Sequence, residues 1–360
     1  MSLSIGIVGL PNVGKSTLFN ALTKNQVLAA NYPFATIEPN VGVVEVSDER
    51  LSKLGEISQS AKVIPAAISF TDIAGIVRGA SEGAGLGNKF LAHIRECAAI
   101  VQVVRAFEDN NVTHVDDAPD PKRDIETINA ELILADLQTI DNRLGRLESE
   151  LKRDPKTVGP LIDLLQKTRR GLDEGKLAGS ILSTEEIKAI RDLQLLTAKP
   201  FIIVYNLDET QLADESLKSE LKSIVDPCST IFLCAQIEAE LGDLPAEEAQ
   251  ELLKSLGQSE AGLSSLVRAG YEALGLQTYF TSGPKESRAW TVPVGATAPE
   301  AAGIIHGDFE KGFIKAEVVA YDDFVSGNGW AGAKDAGKVR LEGRDYIVRD
   351  GDVIVFRFNV

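Results

Sequence analysis

The chain opens on an apolar run, Ser4-Ile5-Gly6-Ile7-Val8, that predicts a buried strand. Comparable runs follow at residues 41–46, 66–70, 98–107, 200–205 and 230–234. Helical spacing appears over residues 18–22, then over roughly 211–224, 245–256 and 260–274. Strands alternating with helices predict an α/β fold. Its sheet should be mostly parallel and covered on both faces, with any ligand at the carboxyl ends of the strands.

Two stretches break this rhythm. From Arg123 onward Ile125, Ile128, Leu132, Ile133, Leu137, Ile140, Leu144, Leu147 and Leu151 repeat at three and four. Asp154-Pro155 and Gly159-Pro160 interrupt the pattern, and a second amphipathic stretch runs over 161–172. That predicts an antiparallel helical, coiled-coil arm inserted between strands. After Gly275 short strands are expected at 288–294, 313–320, 337–341, 346–348 and 353–358, around one helix near 299–305. The expected division is a nucleotide domain (1–122 and 198–276), an arm (123–197) and a small α+β module (277–360).

The first strand leads into Gly9-Leu10-Pro11-Asn12-Val13-Gly14-Lys15-Ser16-Thr17, and a helix follows. This is G-x-x-x-x-G-K-[ST] in the strand-to-helix context that a P-loop requires. Gly9 and Gly14 free the backbone to turn successive N–H groups around phosphates. The helix from Lys15 aims its positive end at the same place. Lys15 would reach the β- and γ-phosphates, and the Ser16 hydroxyl would ligate Mg²⁺. The loop therefore predicts a nucleoside-triphosphate site. Pro11, Asn12, Val13 and Thr17 stand among its binding residues.

Downstream residues extend that site. Residues 31–40 form a Pro-punctuated loop before the next strand, and its Thr36 is the candidate to add a hydroxyl to the metal. The strand at 66–70 runs into Thr71-Asp72-Ile73-Ala74-Gly75. There Asp72 would hold the Mg²⁺ shell and the Gly75 N–H would sense the γ-phosphate. Gly79, Gly83, Gly85 and Gly87 crowd the segment beyond, so no stable helix is expected through it.

Composition narrows the class. At 44% hydrophobic and 25% charged, the 360 residues are ordinary for a globular protein of two or three domains. The net charge of −16 argues against indiscriminate nucleic-acid binding and DNA specificity. That acidity is concentrated at 200–276, which carries 4 basic and 14 acidic side chains. No stretch approaches a membrane span, and with the first strand starting at Ser4 no signal peptide is expected. Cys97, Cys228 and Cys234 lack metal spacing and fall in or beside apolar runs, as reduced core residues of a cytoplasmic protein would.

Together Gly-Leu-Pro-Asn-Val-Gly-Lys-Ser, Tyr-Pro-Phe-Ala-Thr-Ile-Glu-Pro-Asn, Asp-Ile-Ala-Gly-Ile-Val and Cys-Ala-Gln-Ile-Glu-Ala-Glu-Leu resemble the YchF/Obg-like ATPases. These are P-loop proteins of the translation-factor-related GTPase class. The resemblance covers essentially the whole chain, and the C-terminal module looks like a TGS domain of β-grasp fold. It implies ATP as substrate, the ribosome with rRNA or tRNA as partners, and Cys234, Ala235 and Gln236 as nucleotide contacts.

Relatives that prefer guanine carry Asn-Lys-x-Asp where this chain has Asn206-Leu207-Asp208-Glu209. The Asn206 amide complements adenine's N7 and amino group, Leu207 replaces the lysine, and Glu209 is one methylene longer than aspartate. ATP is therefore expected over GTP, although Asp208, one place early, leaves a register in which guanine is accepted. Ile76 follows Gly75 where related switches orient water with glutamine, so intrinsic hydrolysis should be slow. Three replacements stay open: Asn12 holding a K⁺ ion, His114 positioning water as the resemblance suggests, or a partner completing the site. His93 and His306 read as structural.

Overall fold

The computed structural model describes residues 4–24, 40–73, 86–107, 119–225 and 227–359. Thr36, Gly75, Ile76, Gly79, Gly83, Gly85 and His114 lie outside them. The chain forms two compact units. One comprises Met1–Gly42 and Ser69–Leu266, the other Val43–Ile68 and Val267–Val360.

The strands begin with β1 (Ser4–Val8), β2 (Val41–Val46), β3 (Val63–Ile64) and β4 (Ala66–Asp72). Then come β5 (Ala99–Arg105), β6 (Phe201–Asn206) and β7 (Ser229–Leu233). Six form a sheet of order β2-β4-β1-β5-β6-β7, with β1–β4, β1–β5, β5–β6 and β6–β7 all parallel. Every residue of β1 and β5 is buried, as continuous apolar runs covered on both faces require. The chain leaves β1 toward the β2–β4 side and later returns to β5 on the other. That reversal opens a crevice at the carboxyl end of β1, where the glycine-rich loop begins.

The helices up to residue 189 are α1 (Lys15–Lys24), α2 (Glu49–Ser58, in the second unit), α3 (Leu86–Glu96), α4 (Pro121–Leu151), α5 (Pro155–Asp173), α6 (Ala178–Ile181) and α7 (Thr184–Ala189). After them come α8 (Glu215–Val225), α9 (Ala235–Leu241), α10 (Ala246–Ser255) and α11 (Gly262–Ala273). No stable helix was expected through Gly87, yet α3 includes it. It sits in the first turn, where backbone N–H groups have no partner, and buried Phe90, Leu91 and Ile94 drive the rest.

The arm is the pair α4 and α5, with Asp120 and Asp154 as N-caps and Pro121 and Pro155 at the first helical position. Gly159-Pro160 does not interrupt the second helix, contrary to the sequence expectation. Pro160 lacks the N–H that would bond Lys156, but both residues are exposed, so the spare carbonyl meets water. Ile140 and Leu147 against Leu165 and Leu172 hold the pair together. At the arm's base the buried Asp136 carboxylate accepts from Leu196 N at 2.8 Å, Thr197 N at 2.8 Å and Thr197 Oγ1 at 2.6 Å.

The second unit adds β8 (Leu276–Ser282), β9 (Ser287–Pro293), β10 (Phe313–Ala320), β11 (Arg340–Glu342) and β12 (Asp352–Phe358). Besides α2, its helices are α12 (Ala298–Ile305), α13 (Gly307–Lys311), α14 (Tyr321–Ser326) and α15 (Trp330–Asp335). The mixed sheet runs β11-β10-β12-β8-β9-β3. Tyr279, Val318 and Ile354 pack with α12 in one core; Phe280, Val319 and Val353 pack with Leu51 and Leu54 of α2 in another. Hydroxyl pairs Ser58–Ser282 (2.8 Å) and Ser60–Ser287 (2.7 Å) join residues 58–60 to β8 and β9. Trp290 stacks on Tyr279, and Trp330 Nε1 donates to the Ser282 carbonyl at 3.0 Å.

Three sequence expectations change here. Strand β8 was not foreseen, because buried Thr278 and Ser282 blur its alternation. Residues 346–348 make only an isolated bridge, Thr297 to Ile347. Helices α13, α14 and α15, five or six residues each, add to the one helix expected and are too short to show a period.

Candidate functional site

The loop between β1 and α1 needs two left-handed residues, Asn12 (φ 61°) and Gly14 (φ 97°). Asparagine tolerates that region better than other side chains do. A Cβ at Gly9 would lie 2.6 Å from the Val103 carbonyl oxygen of β5, and one at Gly14 would run into the Asn206 amide. These glycines bring the loop down onto the sheet ends. Lys15 is 8% exposed and donates from Nζ to the Leu10 carbonyl at 2.8 Å, curling back across the loop. Burial pushes its pKa down, and the charge of Asp72 pulls it partly back.

Asp72, at the end of β4, shows the opposite displacement. Burial raises its pKa, while Lys15 and a hydrogen bond with Ser16 oppose the rise. Its Oδ1 is buried and has no hydrogen-bond partner among the described residues. An unsatisfied carboxylate oxygen beside a serine hydroxyl matches the oxygen ligands that Mg²⁺ takes. The donor set therefore fits the cation. Among the described residues no cluster of three or more His, Cys, Asp or Glu offers another metal site.

A cleft of about 810 Å³ is lined by Asn12, Gly14, Lys15, Ser16 and Thr17, by residues 206–209 and 234–237, and by Phe107 and Glu240. Gly9, Pro11 and Val13 belong to the loop but do not line the cleft. The carbonyl of Val13 instead accepts from Asn206 Nδ2 at 3.0 Å, and Asn206 Oδ1 accepts from Ala235 N at 2.9 Å. This adds a second duty to the base contact expected of Asn206, which still lines the cleft. Its amide first ties the phosphate loop to the turn before α9, leaving one N–H and one lone pair for a ligand.

Asp208 is likewise engaged locally. Its Oδ1 accepts from Thr210 Oγ1 at 2.7 Å and Gln211 N at 2.9 Å. One carboxylate oxygen of Asp208 is thus taken up inside its own turn, although the residue lines the cleft. Leu207 is buried and packs with Leu212 and Ile237, while Glu209 is exposed. Cys234 is buried, and burial raises its thiol pKa, which disfavours the thiolate. His306 accepts from Asp308 N at 3.2 Å, and the His93 carbonyl accepts from Cys97 Sγ at 3.3 Å.

Phe107, Ile237 and Glu240 were not singled out from the sequence. Arg105 lies 4.5 Å from the Phe107 ring centroid, and its Nε donates to the Phe107 carbonyl at 3.1 Å. Arg105 pairs with Asn206 in the β5–β6 register, so the carboxyl-end rule could have found Phe107.

A "Ribosome-binding ATPase YchF" of Bacillus subtilis is 54% identical to this chain, covering 100% of both. The chain belongs to the YchF/Obg-like ATPase family. Another relative, "Obg-like ATPase 1" of Gallus gallus, is 44% identical over 99% of this chain and 93% of its own. Two family models match. Residues 4–151 fit the one described as "50S ribosome-binding GTPase". Residues 276–359 fit YchF-GTPase_C, described as "Protein of unknown function (DUF933)". The solved Schizosaccharomyces pombe YchF GTPase superposes with a TM-score of 0.88 at 37% identity, covering 99% of this chain and 98% of that one. The YchF fold is thus shared along the whole chain.

Proposed function

We propose that this chain is an ATP-hydrolysing switch that works on the ribosome; the Bacillus subtilis relative is named a ribosome-binding ATPase and the Gallus gallus relative an ATPase. The observation that carries ATP over GTP is the engagement of Asp208 Oδ1 by Thr210 and Gln211, which ties that carboxylate into its own turn and leaves it poorly placed to accept from both of guanine's donors. The remaining Asn206 N–H and lone pair match adenine's N7 and amino group. The Phe107 ring and Leu207 supply apolar surface for the purine.

In this reading the backbone of residues 9–14 and the Lys15 ammonium hold the β- and γ-phosphates in line for attack by water. Ser16 and Asp72 would hold Mg²⁺, with Thr36 joining them, and Gly75 would follow the γ-phosphate. The cation, when bound, neutralises charge on the phosphate oxygens. Products are ADP, phosphate and a proton. For orienting the water we propose His114, with Asn12 able to hold a K⁺ ion beside the phosphates. Residues 1–122 and 198–276 would bind nucleotide, while the 123–197 arm and the 277–360 module would meet the ribosome and its rRNA or tRNA. A cytoplasmic location fits those partners. No described helix is long and apolar enough to cross a membrane.

Titration of ATP and GTP with Mg²⁺ tests the reading, followed by turnover in K⁺ and Na⁺ with and without ribosomes. ATP should bind more tightly, with slow turnover that rises with ribosomes. The second reading, a GTPase, rests on the exposed Glu209 carboxylate, and tighter GTP binding would establish it.

A further inference from the structure

Helix α9 carries part of the cleft wall, yet it has only seven residues, too few to hold itself. Gln236 and Glu240 lie four apart, share one face and line the cleft. Glu238, two residues from each, falls on the opposite side of the helix and does not line the cleft. Its carboxylate is 5% exposed and accepts from Gly262 N at 2.7 Å and Leu263 N at 3.3 Å, the first two amides of α11. Those amides have no partner inside their own helix, and the dipole of α11 favours a negative charge there.

Gly262 makes the approach possible. A Cβ there would lie 2.6 Å from Leu233 Cβ and 2.9 Å from Glu238 Oε1. Cys234, at the N-cap of α9, makes no side-chain cap bond, and Asn206 Oδ1 holds the Ala235 amide. Helix α9 is therefore fastened at the front by Asn206 and at the back by Glu238.

From this arrangement we propose that Glu238 is a positioning residue for the purine, fixing through α9 the angle at which Gln236 and Glu240 face the nucleotide. The proposal rests on the reading that the base lies in this cleft. Glu238 itself touches neither the phosphate loop nor Asp72, and Asn206 holds the phosphate-loop end of α9 independently, so its effect is expected on the base rather than on the phosphates.

The test compares Mg²⁺-dependent binding of ATP and of inorganic tripolyphosphate, which has no base, in wild type, Glu238→Ala, Glu238→Gln and Gly262→Ala. Glu238→Ala should weaken ATP about tenfold, while tripolyphosphate affinity and kcat at saturating ATP stay within about twofold. Glu238→Gln, which keeps one acceptor oxygen, should fall between. Gly262→Ala should repeat the ATP-selective loss by pushing α11 off the carboxylate, and it decides the matter should Glu238→Ala fail to fold. Unchanged ATP binding, or equal weakening of ATP and tripolyphosphate, overturns the proposal. A wild type that binds tripolyphosphate as tightly as ATP instead sinks the placement of the base.

Discussion

Asn206 donates from Nδ2 to the Val13 carbonyl at 3.0 Å, joining the end of β6 to the phosphate loop across 193 positions of chain. The same amide accepts from Ala235. One short side chain thus sets the spacing of two loops that both line the cleft. Asn206→Ala should cost about 2 kcal/mol in urea unfolding, since it strands a buried carbonyl and a buried N–H. ATP affinity should fall with it. Asn206→Asp should do no better, because an oxygen would then face the Val13 oxygen.

Asp72 gives the site a pH dependence with a definite sign. Its folded pKa lies above 3.8 because of burial, so as pH falls the folded state takes up a proton before the unfolded chain does. The metal-free protein therefore carries a penalty above the folded pKa that is relieved as pH drops through it. If Asp72 holds Mg²⁺ as proposed, a proton and the cation would compete for the same unsatisfied Oδ1. Mg²⁺ enhancement of ATP binding should shrink on acidification through that window. Asp72→Asn should abolish the enhancement at every pH and stabilise the metal-free protein at neutral pH; calorimetric titration and thermal unfolding check the two halves.

The arm is latched by Asp136, a buried carboxylate whose hydrogen bonds come from Leu196 and Thr197. Asp136→Ala should destabilise the first unit by about 3 kcal/mol, read by urea unfolding, because two backbone amides lose their acceptor. Asp136→Asn should recover part of that. Retained stability in Asp136→Ala would mean that the latch is dispensable.

Residues 277–360 alone should fold poorly. Leu51 and Leu54 pack against Phe280, Val319 and Val353, and Ser58 and Ser60 complete a hydroxyl network with Ser282 and Ser287. A fragment of 277–360 should bind a hydrophobic dye, and adding a 43–68 peptide should suppress that binding and raise the melting temperature.

The phosphate loop, the parallel sheet and the arm were legible because each depends on local spacing. A glycine pattern between a strand and a helix, continuous apolar runs, and a three-four repeat all lie within a few residues of chain. What escaped depends on partners far away in sequence. Asn206 read as a base contact, and only the fold brings Val13 and Ala235 to it. Phe107 sits just past the end of β5, where only the carboxyl-end rule, and no motif, would have marked it. Pro160 reads as a helix breaker until packing of Leu165 and Leu172 outweighs one missing bond. Strand β8 hides behind Thr278 and Ser282, polar groups that are buried because Tyr271, Ser58 and Ser287 satisfy them.

Both tryptophans of the chain, Trp290 and Trp330, belong to the second unit, and neither lines the nucleotide cleft. Intrinsic emission excited at the indole band is therefore a private signal of that unit, silent to purely local events around the phosphates. Any change in its intensity or colour on adding nucleotide would measure how far the triphosphate's arrival is felt, without a single label being attached.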